Sequence, residues 1–487
     1  MTKTPSVGIA TVPVVVLIIL LSVNVLIFGD EAISGSNQII LIVSAAIAAL
    51  LSMKTGVHWK TLEEGIVNGI KLATPAILIL LMVGALSGTW LVSGIIPTMI
   101  YYGLHVLTPV IFLFATCIIC AVVSVFTGSS WTTSATIGIA LMGVGTVLGI
   151  EPGLIAGAIL SGAYFGDKLS PLSDTTNLAS ASAGAELFTH IRYLSMTTIP
   201  TIGIALVLYI IFGFGYSSDT SDSTIDEIIQ VLGSEFNISA WLLLVPLAVV
   251  LMIVKKVPAL PALLAGTLLG GVFAFIFQPE LIREVGEQTG AESYSYYVGI
   301  MQTLYGDVEL VTGNEVLDEL LTSGGMGGML GTIWLILSAM TFGGVMESSG
   351  FLRSITEALI RRVKSLTGLV TAVTGTCLFT NFSASDQYLA VLLPGRMYAD
   401  SFAERGLAPQ NLSRTIEDSG TVTSVLIPWN TCGAYHATVL TVATGDYWMF
   451  AFFCLLSPLM SIIFAAFNIK IAKSATPDQS LNSTKLA

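Results

Sequence analysis

Asp167 and Asp174 stand seven residues apart with Pro171 between them, in the run Gly166-Asp167-Lys168-Leu169-Ser170-Pro171-Leu172-Ser173-Asp174-Thr175-Thr176-Asn177. Two carboxylates can each hold a proton or a cation, and a proline beside them frees backbone carbonyls that bind cations. Seven residues are two turns of a continuous helix, one face. Proline removes a donor and clashes with the preceding turn, so Ser170-Pro171-Leu172-Ser173 reads as an unwound break between half-helices. Ser173, Thr175, Thr176 and Asn177 add hard oxygen donors of the kind a small cation takes. The run lies between the apolar stretches 154–164 and 193–213. An ionisable group at membrane depth costs about 2.5–3.5 kcal/mol, so a chain that keeps several there lines a polar cavity. This chemistry is that of a cation site in a secondary transporter, with Asp174 the leading acid. Asp174→Asn should abolish transport. The alternative is that Asp167-Lys168 closes a helix at the membrane surface as a solvated ion pair.

A second constellation is expected to complete the pocket. Asn381, Ser383, Ser385 and Asp386 crowd one polar segment, and Asn430 and Thr431 follow Pro428. In the first half, Thr127, Ser129, Ser130 and Thr132 crowd another. A lone Ser or Thr usually bonds back to its own helix, but eight such positions at two tips point to a shared pocket. Half-helix N-termini would face it. The expected ion- and proton-binding set is Asp174, Asp386, Asp167, Asn177, Thr175, Ser173, Asn381, Ser383, Ser385, Asn430, Thr431, Ser130 and Thr132, with Na+ on Asp174 and Asp386. Competition between H+ and Na+ for one carboxylate couples their movements, because protonation removes the charge that binds the metal. Glu417-Asp418 reads as the cap at the start of the second interrupted helix. His58 and His190 fall in loops and His105 on a surface arm. His436 reads as a packing residue before a proton shuttle.

Elements that could position these residues follow from hydropathy and charge. Of 487 residues, 54% are hydrophobic and 10% charged, against roughly 25% charged in soluble domains. Mean hydropathy is +0.85. Apolar runs of spanning length recur, so the fold class is an all-α polytopic membrane protein. Spans are expected near 7–28, 38–53, 72–93, 193–213, 238–254, 260–277, 329–346 and 447–470. Paired stretches 110–125 and 133–148 flank the first polar tip, and 368–394 contains the second. Interrupted segments run over 153–185 and 421–440. The positive-inside rule makes cytoplasmic loops of Lys54, Lys60 and Lys71; Lys255 and Lys256; Arg353, Arg361, Arg362 and Lys364; and Arg396, Arg405 and Arg414. It puts both termini inside. Each tip segment then starts and ends on one side, as a hairpin. Each half reads as two helices, a third, a surface arm (95–107 or 351–365), a hairpin, an interrupted helix and a last helix. Five spans per half is odd, so the fold expected is two inverted repeats, each with a re-entrant hairpin and one span broken at the midplane. Phe126-Thr127-Gly128 echoes Phe379-Thr380-Asn381. The divisions are a first repeat over 1–215, an acidic external loop 216–237, a second repeat over 238–470 with an acidic external loop 278–328, and a cytoplasmic tail 471–487.

Several classes are set aside. Net charge is −12 and no basic patch suits nucleic acid. Asp219, Asp222, Asp226, Glu227 and Glu235 form one acidic stretch, and a second runs from Glu280 to Glu319; both read as disordered, solvated loops. Cys117 and Cys120 have the spacing of a metal or redox motif, but nothing completes it. The apolar run 7–28 exceeds a signal-peptide core. Gly162-Ala163-Tyr164-Phe165-Gly166-Asp167 has Tyr where intramembrane aspartyl proteases have Gly, and no partner motif appears, so an enzyme is not expected. No phosphate loop is present, and no cofactor is expected beyond the transported ions. A channel fits paired broken helices with acids less well than alternating access does.

The run 163–177, with Asn381–Asp386 and Pro428-Trp429-Asn430-Thr431, closely resembles the signature of the NhaC family of sodium/proton antiporters, and the resemblance covers roughly residues 10–470. It implies Na+ efflux against H+ entry in a prokaryotic inner membrane, by a homodimer of inverted-repeat subunits. One branch of that family resembles malate/lactate exchangers that also move H+ and Na+. This keeps small carboxylates as an alternative cargo. A carboxylate carrier should offer a cation or exposed amides, and Lys168 is the basic side chain nearest the expected pocket.

Overall fold

The computed structural model describes residues 5–28, 32, 35–216, 222–290, 292–360, 363 and 365–474. Asp219, Arg361, Arg362, Lys364 and residues 475–487, on which some expectations rest, lie outside them. Helix dominates the chain. Seven described helices are long and apolar enough to cross a bilayer, or eight if the pair 225–235 and 240–254, bent by 91°, forms one span. The fold is that of an all-α polytopic membrane protein. Helix Trp59–Val92 has 34 residues, about 51 Å at 1.5 Å per residue, which exceeds the roughly 30 Å hydrocarbon core. Lys60 and Lys71 therefore sit within its first four turns, and not in a loop with Lys54 as the placement of basic residues suggested.

Both halves run through the same elements. The first has Val7–Phe28, Ser36–Lys54, Trp59–Val92 and the arm Ile95–Val106. A hairpin follows, from Pro109–Thr127 through a tip at Gly128-Ser129 to a return over 130–147. Then come the broken helix Pro152–Leu169 and Asp174–Ala183, and Leu187–Phe214. The second half has Leu244–Val254, Ala259–Phe277, Leu330–Ser348 and the arm Phe351–Ile360. Its hairpin is Leu366–Ser383 and Gln387–Ala403. Its broken helix is Pro409–Ile416, a π turn Glu417–Thr421, a 3-10 turn Ser424–Leu426 and Thr431–Leu440. Phe452–Ala466 is the last.

The correspondence holds residue by residue from the hairpin onward, at a constant offset of 257. Helix-capping residues pair as Thr108 with Ser365, Ser129 with Asp386, Glu151 with Ala408, and Ser173 with Asn430. Left-handed turns pair as Gly128 with Ser385, Gly149 with Gly406, and Gly184 with Thr441. Pro152 pairs with Pro409 and Pro171 with Pro428. The echo of Phe126-Thr127-Gly128 with Phe379-Thr380-Asn381 is thus one helical turn out of register. Apolar helices tolerate such a slip in sequence, whereas capping and backbone angles do not.

Close helix approach fixes the first broken helix against the first hairpin. A Cβ on Gly162 would lie 2.1 Å from the Cys117 carbonyl oxygen, and one on Gly166 2.4 Å from that of Ala121. Small residues let the two backbones touch, as membrane helices do.

The acidic segments are folded, not disordered. Asp222–Glu235 is a helix. Residues 279–323 form helices Pro279–Gln288, Ser295–Tyr305 and Glu315–Leu320 with a two-stranded pairing of Val308–Glu309 and Thr322–Ser323. Ile282, Leu317 and Leu321 are buried there, so regularly spaced apolar residues outweigh the acid. This unit sits on the end of Trp59–Val92, where Gly88 meets the Thr303 carbonyl.

Candidate functional site

The first break is held open by side chains that replace lost helix bonds. Helix Pro152–Leu169 ends before Pro171, and Ser173 caps the next half-helix by accepting from Thr176 N at 3.3 Å. Thr176 Oγ1 donates to the Lys168 carbonyl at 3.1 Å, and Asn177 Nδ2 to the Pro171 and Ser173 carbonyls at 3.1 and 2.7 Å. These contacts satisfy backbone groups that any helix end exposes. The first hairpin tip lies directly on this break. Gly128 takes φ +68°, and a Cβ there would lie 2.7 Å from Leu172 Cβ. Glycine supplies both the left-handed turn and the clearance.

The second break uses different chemistry. Asn381 Nδ2 donates to the Gly420 carbonyl and Thr423 Oγ1, and Asn430 Nδ2 donates to Asn381. Asn430 Oδ1 caps Cys432 N at 3.0 Å. The tip meets the break through Thr431 N, which donates to the Ser385 carbonyl at 3.0 Å. Asp386 caps its return helix, accepting from Leu389 N at 2.9 Å.

The two tips and two breaks enclose one cavity of about 430 Å³. Its charged lining is Asp167, Asp174 and Asp386, with Lys256 in an exposed loop at the mouth. Thr132, Ser173, Thr175 and Thr431 line it as expected; Asn177, Asn381, Ser383, Ser385, Asn430 and Ser130 do not. Asn177, Asn381 and Asn430 are occupied in holding the breaks, and Ser383 bonds back to the Phe379 carbonyl. Ser130 stands behind Asp167, donating to its Oδ2 from Oγ at 2.7 Å and from N at 3.1 Å. Thr127 and Ser129, named with the first tip, line it too, whereas Trp131, Gln387, Tyr388 and Cys432 do so without having been singled out from sequence.

Burial reorders the acids. Asp167 is 6% exposed and Asp386 2%, whereas Asp174 is exposed at the start of its half-helix. Four helix starts lie at the cavity, three through their first residues Asp174, Gln387 and Thr431 and one through its cap Ser129. Each contributes about half a positive charge, roughly two in all, against three carboxylates. Among the described residues no three acidic, His or Cys side chains form a metal-holding group.

Lys168 faces away from the cavity. It is fully buried, forms an ion pair with Asp418, and donates to Ser457 Oγ at 2.8 Å. Asp418 also accepts from Thr197 Oγ1 at 2.9 Å and Ser461 Oγ at 2.5 Å. The alternative of a solvated Asp167-Lys168 pair fails, since each finds its own buried partner. Glu417-Asp418 is likewise no surface cap: both are fully buried, in a π turn, a geometry frequent at functional sites. Arg414, expected in a loop, is 1% exposed and stacks over the Tyr193 and Phe464 rings. His190 is buried against Ser413 Oγ at 2.8 Å. His436 packs on Tyr164 and Tyr435 without a hydrogen-bond partner.

Comparison with known proteins bears on what such a cavity moves. Residues 162–469, which include both breaks and the second tip, match the model of the Na+/H+ antiporter family. The chain is 37% identical to the Na+/H+ antiporter NhaC of Alkalihalophilus pseudofirmus, over 95% of this chain and 97% of that one. This chain belongs to the Na+/H+ antiporter family. It is also 36% identical to the NhaC antiporter of Bacillus subtilis, over 87% of this chain and 90% of that one. A malate-2H+/Na+-lactate antiporter of the same organism is 36% identical, over 88% of each chain. The antiporter's cavity opens beside Leu72, Pro258 and Lys256. The stacked rings of Trp131 and Tyr435, 4.0 Å apart, join the first hairpin's return to the second broken helix.

Proposed function

We propose that this antiporter exchanges Na+ for H+ by alternating access, with Na+ and H+ competing for the carboxylates of this cavity. The observation that carries this reading is the charge of the lining: three acids, and no basic side chain deeper than Lys256 at the mouth. Asp167 and Asp386 are the buried acids that bind either ion, Asp174 recruits cations at the entrance, and Thr132, Thr431 and carbonyls at the breaks complete the coordination. The repeats 1–215 and 238–470 are inverted, each with a re-entrant hairpin whose tip meets a helix break near the midplane. The positive-inside rule makes the Lys255-Lys256 side cytoplasmic, so the cavity is open inward. Both termini are then cytoplasmic, in a prokaryotic inner membrane, and the functional unit is a homodimer.

A second cargo is supported by cavity size alone. About 430 Å³ exceeds what one Na+ needs and leaves room for a small carboxylate beside it. Against this, the buried lysine that would hold such an anion is paired with Asp418.

The test is proton flux in proteoliposomes of purified protein with a pH-sensitive dye inside. Proton movement on NaCl alone, absent with KCl, is the expected result. Silence on Na+ alone, with flux only when malate is added against preloaded lactate, would move the chain to organic-anion exchange.

A further inference from the structure

Glu417 is the buried acid that the exchange described above does not use. It comes from the second broken helix, has no exposed surface, and reaches the back of the cavity wall. Thr175 Oγ1 donates to its Oε1 at 3.1 Å, while its Oε2 has no hydrogen-bond partner among the described residues. Thr175 in turn lies 3.0 Å from Ser173 Oγ, and both hydroxyls line the cavity.

A hydroxyl has one proton to give and two lone pairs. Thr175 spends its proton on Glu417, so the Ser173–Thr175 bond must be donated by Ser173. Ser173 Oγ also accepts from Thr176 N. The protons of the chain Ser173 to Thr175 to Glu417 are therefore directed along it toward Glu417, and the remaining lone pairs are free to face the cavity. We infer that Glu417 is a positioning residue for the transported cation: as the terminal acceptor it polarises two hydroxyls so that they present oxygen, and not hydrogen, to the cavity. Glu417 touches no ion itself. The inference rests on the cation reading above.

The surroundings leave Glu417 free for this task. Lys168 is engaged by Asp418 and Ser457, and Arg414, one turn earlier, is stacked on Tyr193 and Phe464. Arg396 and Asp400 on the neighbouring hairpin helix are exposed and turned away. Without an acceptor at position 417, the two hydroxyls can rotate protons into the cavity and oppose a cation.

The experiment measures KM for Na+ and kcat of proton flux in proteoliposomes for Glu417→Gln, Glu417→Leu, Thr175→Ser and Thr175→Val. Gln keeps a carbonyl acceptor and Ser keeps the hydroxyl, so both should stay within about threefold of the parent. Leu and Val should each raise KM about tenfold, the scale of one hydrogen bond, with kcat little changed. The double variant Glu417→Leu/Thr175→Val should be no worse than either single one, since both break the same chain. An unchanged KM in the Leu and Val variants overturns the inference. So does loss of transport in Glu417→Gln, which would show that the charge and not the acceptor matters. If Glu417→Leu does not assemble, the Thr175 pair decides alone. Failure of the parent to move protons on Na+ would instead sink the cation reading itself.

Discussion

Ser130 with Asp167 in the first half and Gln387 with Ser424 in the second occupy matching positions, 257 residues apart, and make the same contact. In the first, Ser130 donates to the carboxylate at 2.7 Å; in the second, Ser424 donates to the amide oxygen of Gln387 at 3.3 Å. The backbone is duplicated and the charge is not. Lys168 stands opposite Val425, Asp418 opposite Ser161, Glu417 opposite Leu160, and Asp386 opposite Ser129. A repeated scaffold gives two tips and two breaks at one cavity. The ionisable groups are then divided between the halves, and the one buried ion pair joins them: Lys168 of the first meets Asp418 of the second.

Substituting across the repeat tests this division. The largest effect should fall on the buried pair. Lys168→Val or Asp418→Ser alone leaves an uncompensated buried charge and should cost about 3–5 kcal/mol, read as a lower melting temperature in detergent. The double variant, which carries both mirror residues, should recover most of that. If the double is as unstable as the singles, the pair is not what joins the halves. Next, Asp167→Asn should reduce Na+-driven proton flux more than about a hundredfold in a protein that still elutes normally, because the exchangeable charge is gone. The mirror change Ser424→Ala should stay within about threefold; equal losses at both positions would erase the asymmetry. Asp386→Asn should raise KM for Na+ by about tenfold. Ser129→Ala at the mirror site removes only a cap, about 1 kcal/mol of stability, with KM unchanged. The smallest effect is expected for Asp174→Asn, opposite Thr431. As an exposed acid, screened by water, it should shift KM only about threefold. Complete loss there would restore Asp174 to the leading place that its position beside the proline gave it.

The breaks at Pro171 and Pro428, both tips, and the two aspartates Asp167 and Asp386 were legible because proline, clustered hydroxyls and membrane-depth acids leave strong local signals. The burial of Glu417-Asp418 was not. The helix leading to them, Pro409–Ile416, carries Asn411, Ser413, Arg414 and Thr415, and polar residues at that spacing read as surface. All four are buried: Thr415 bonds back to the Asn411 carbonyl, and another helix supplies partners to the other three, such as Tyr193 OH for Asn411 Oδ1 at 2.6 Å. Tyr193, and His190 beside Ser413, lie more than two hundred residues away in sequence. The order of the acids proposed above departs from the one their sequence positions suggest, because exposure is a property of packing: Asp167 is buried behind Ser130 of the first hairpin, whereas Asp174 is exposed. The fold of 279–323 was missed because its acid content masked apolar residues that pair only after the chain has turned.

The central claim is that Na+ and H+ compete for the carboxylates of one cavity. Its most direct test is Na+ binding to the purified antiporter, measured by radiolabelled Na+ at a series of pH values between about 6 and about 9. Competition predicts that the apparent dissociation constant rises toward tenfold per pH unit on the acidic side, and that this dependence is lost in Asp167→Asn. Na+ binding with the same affinity at every pH would contradict the account.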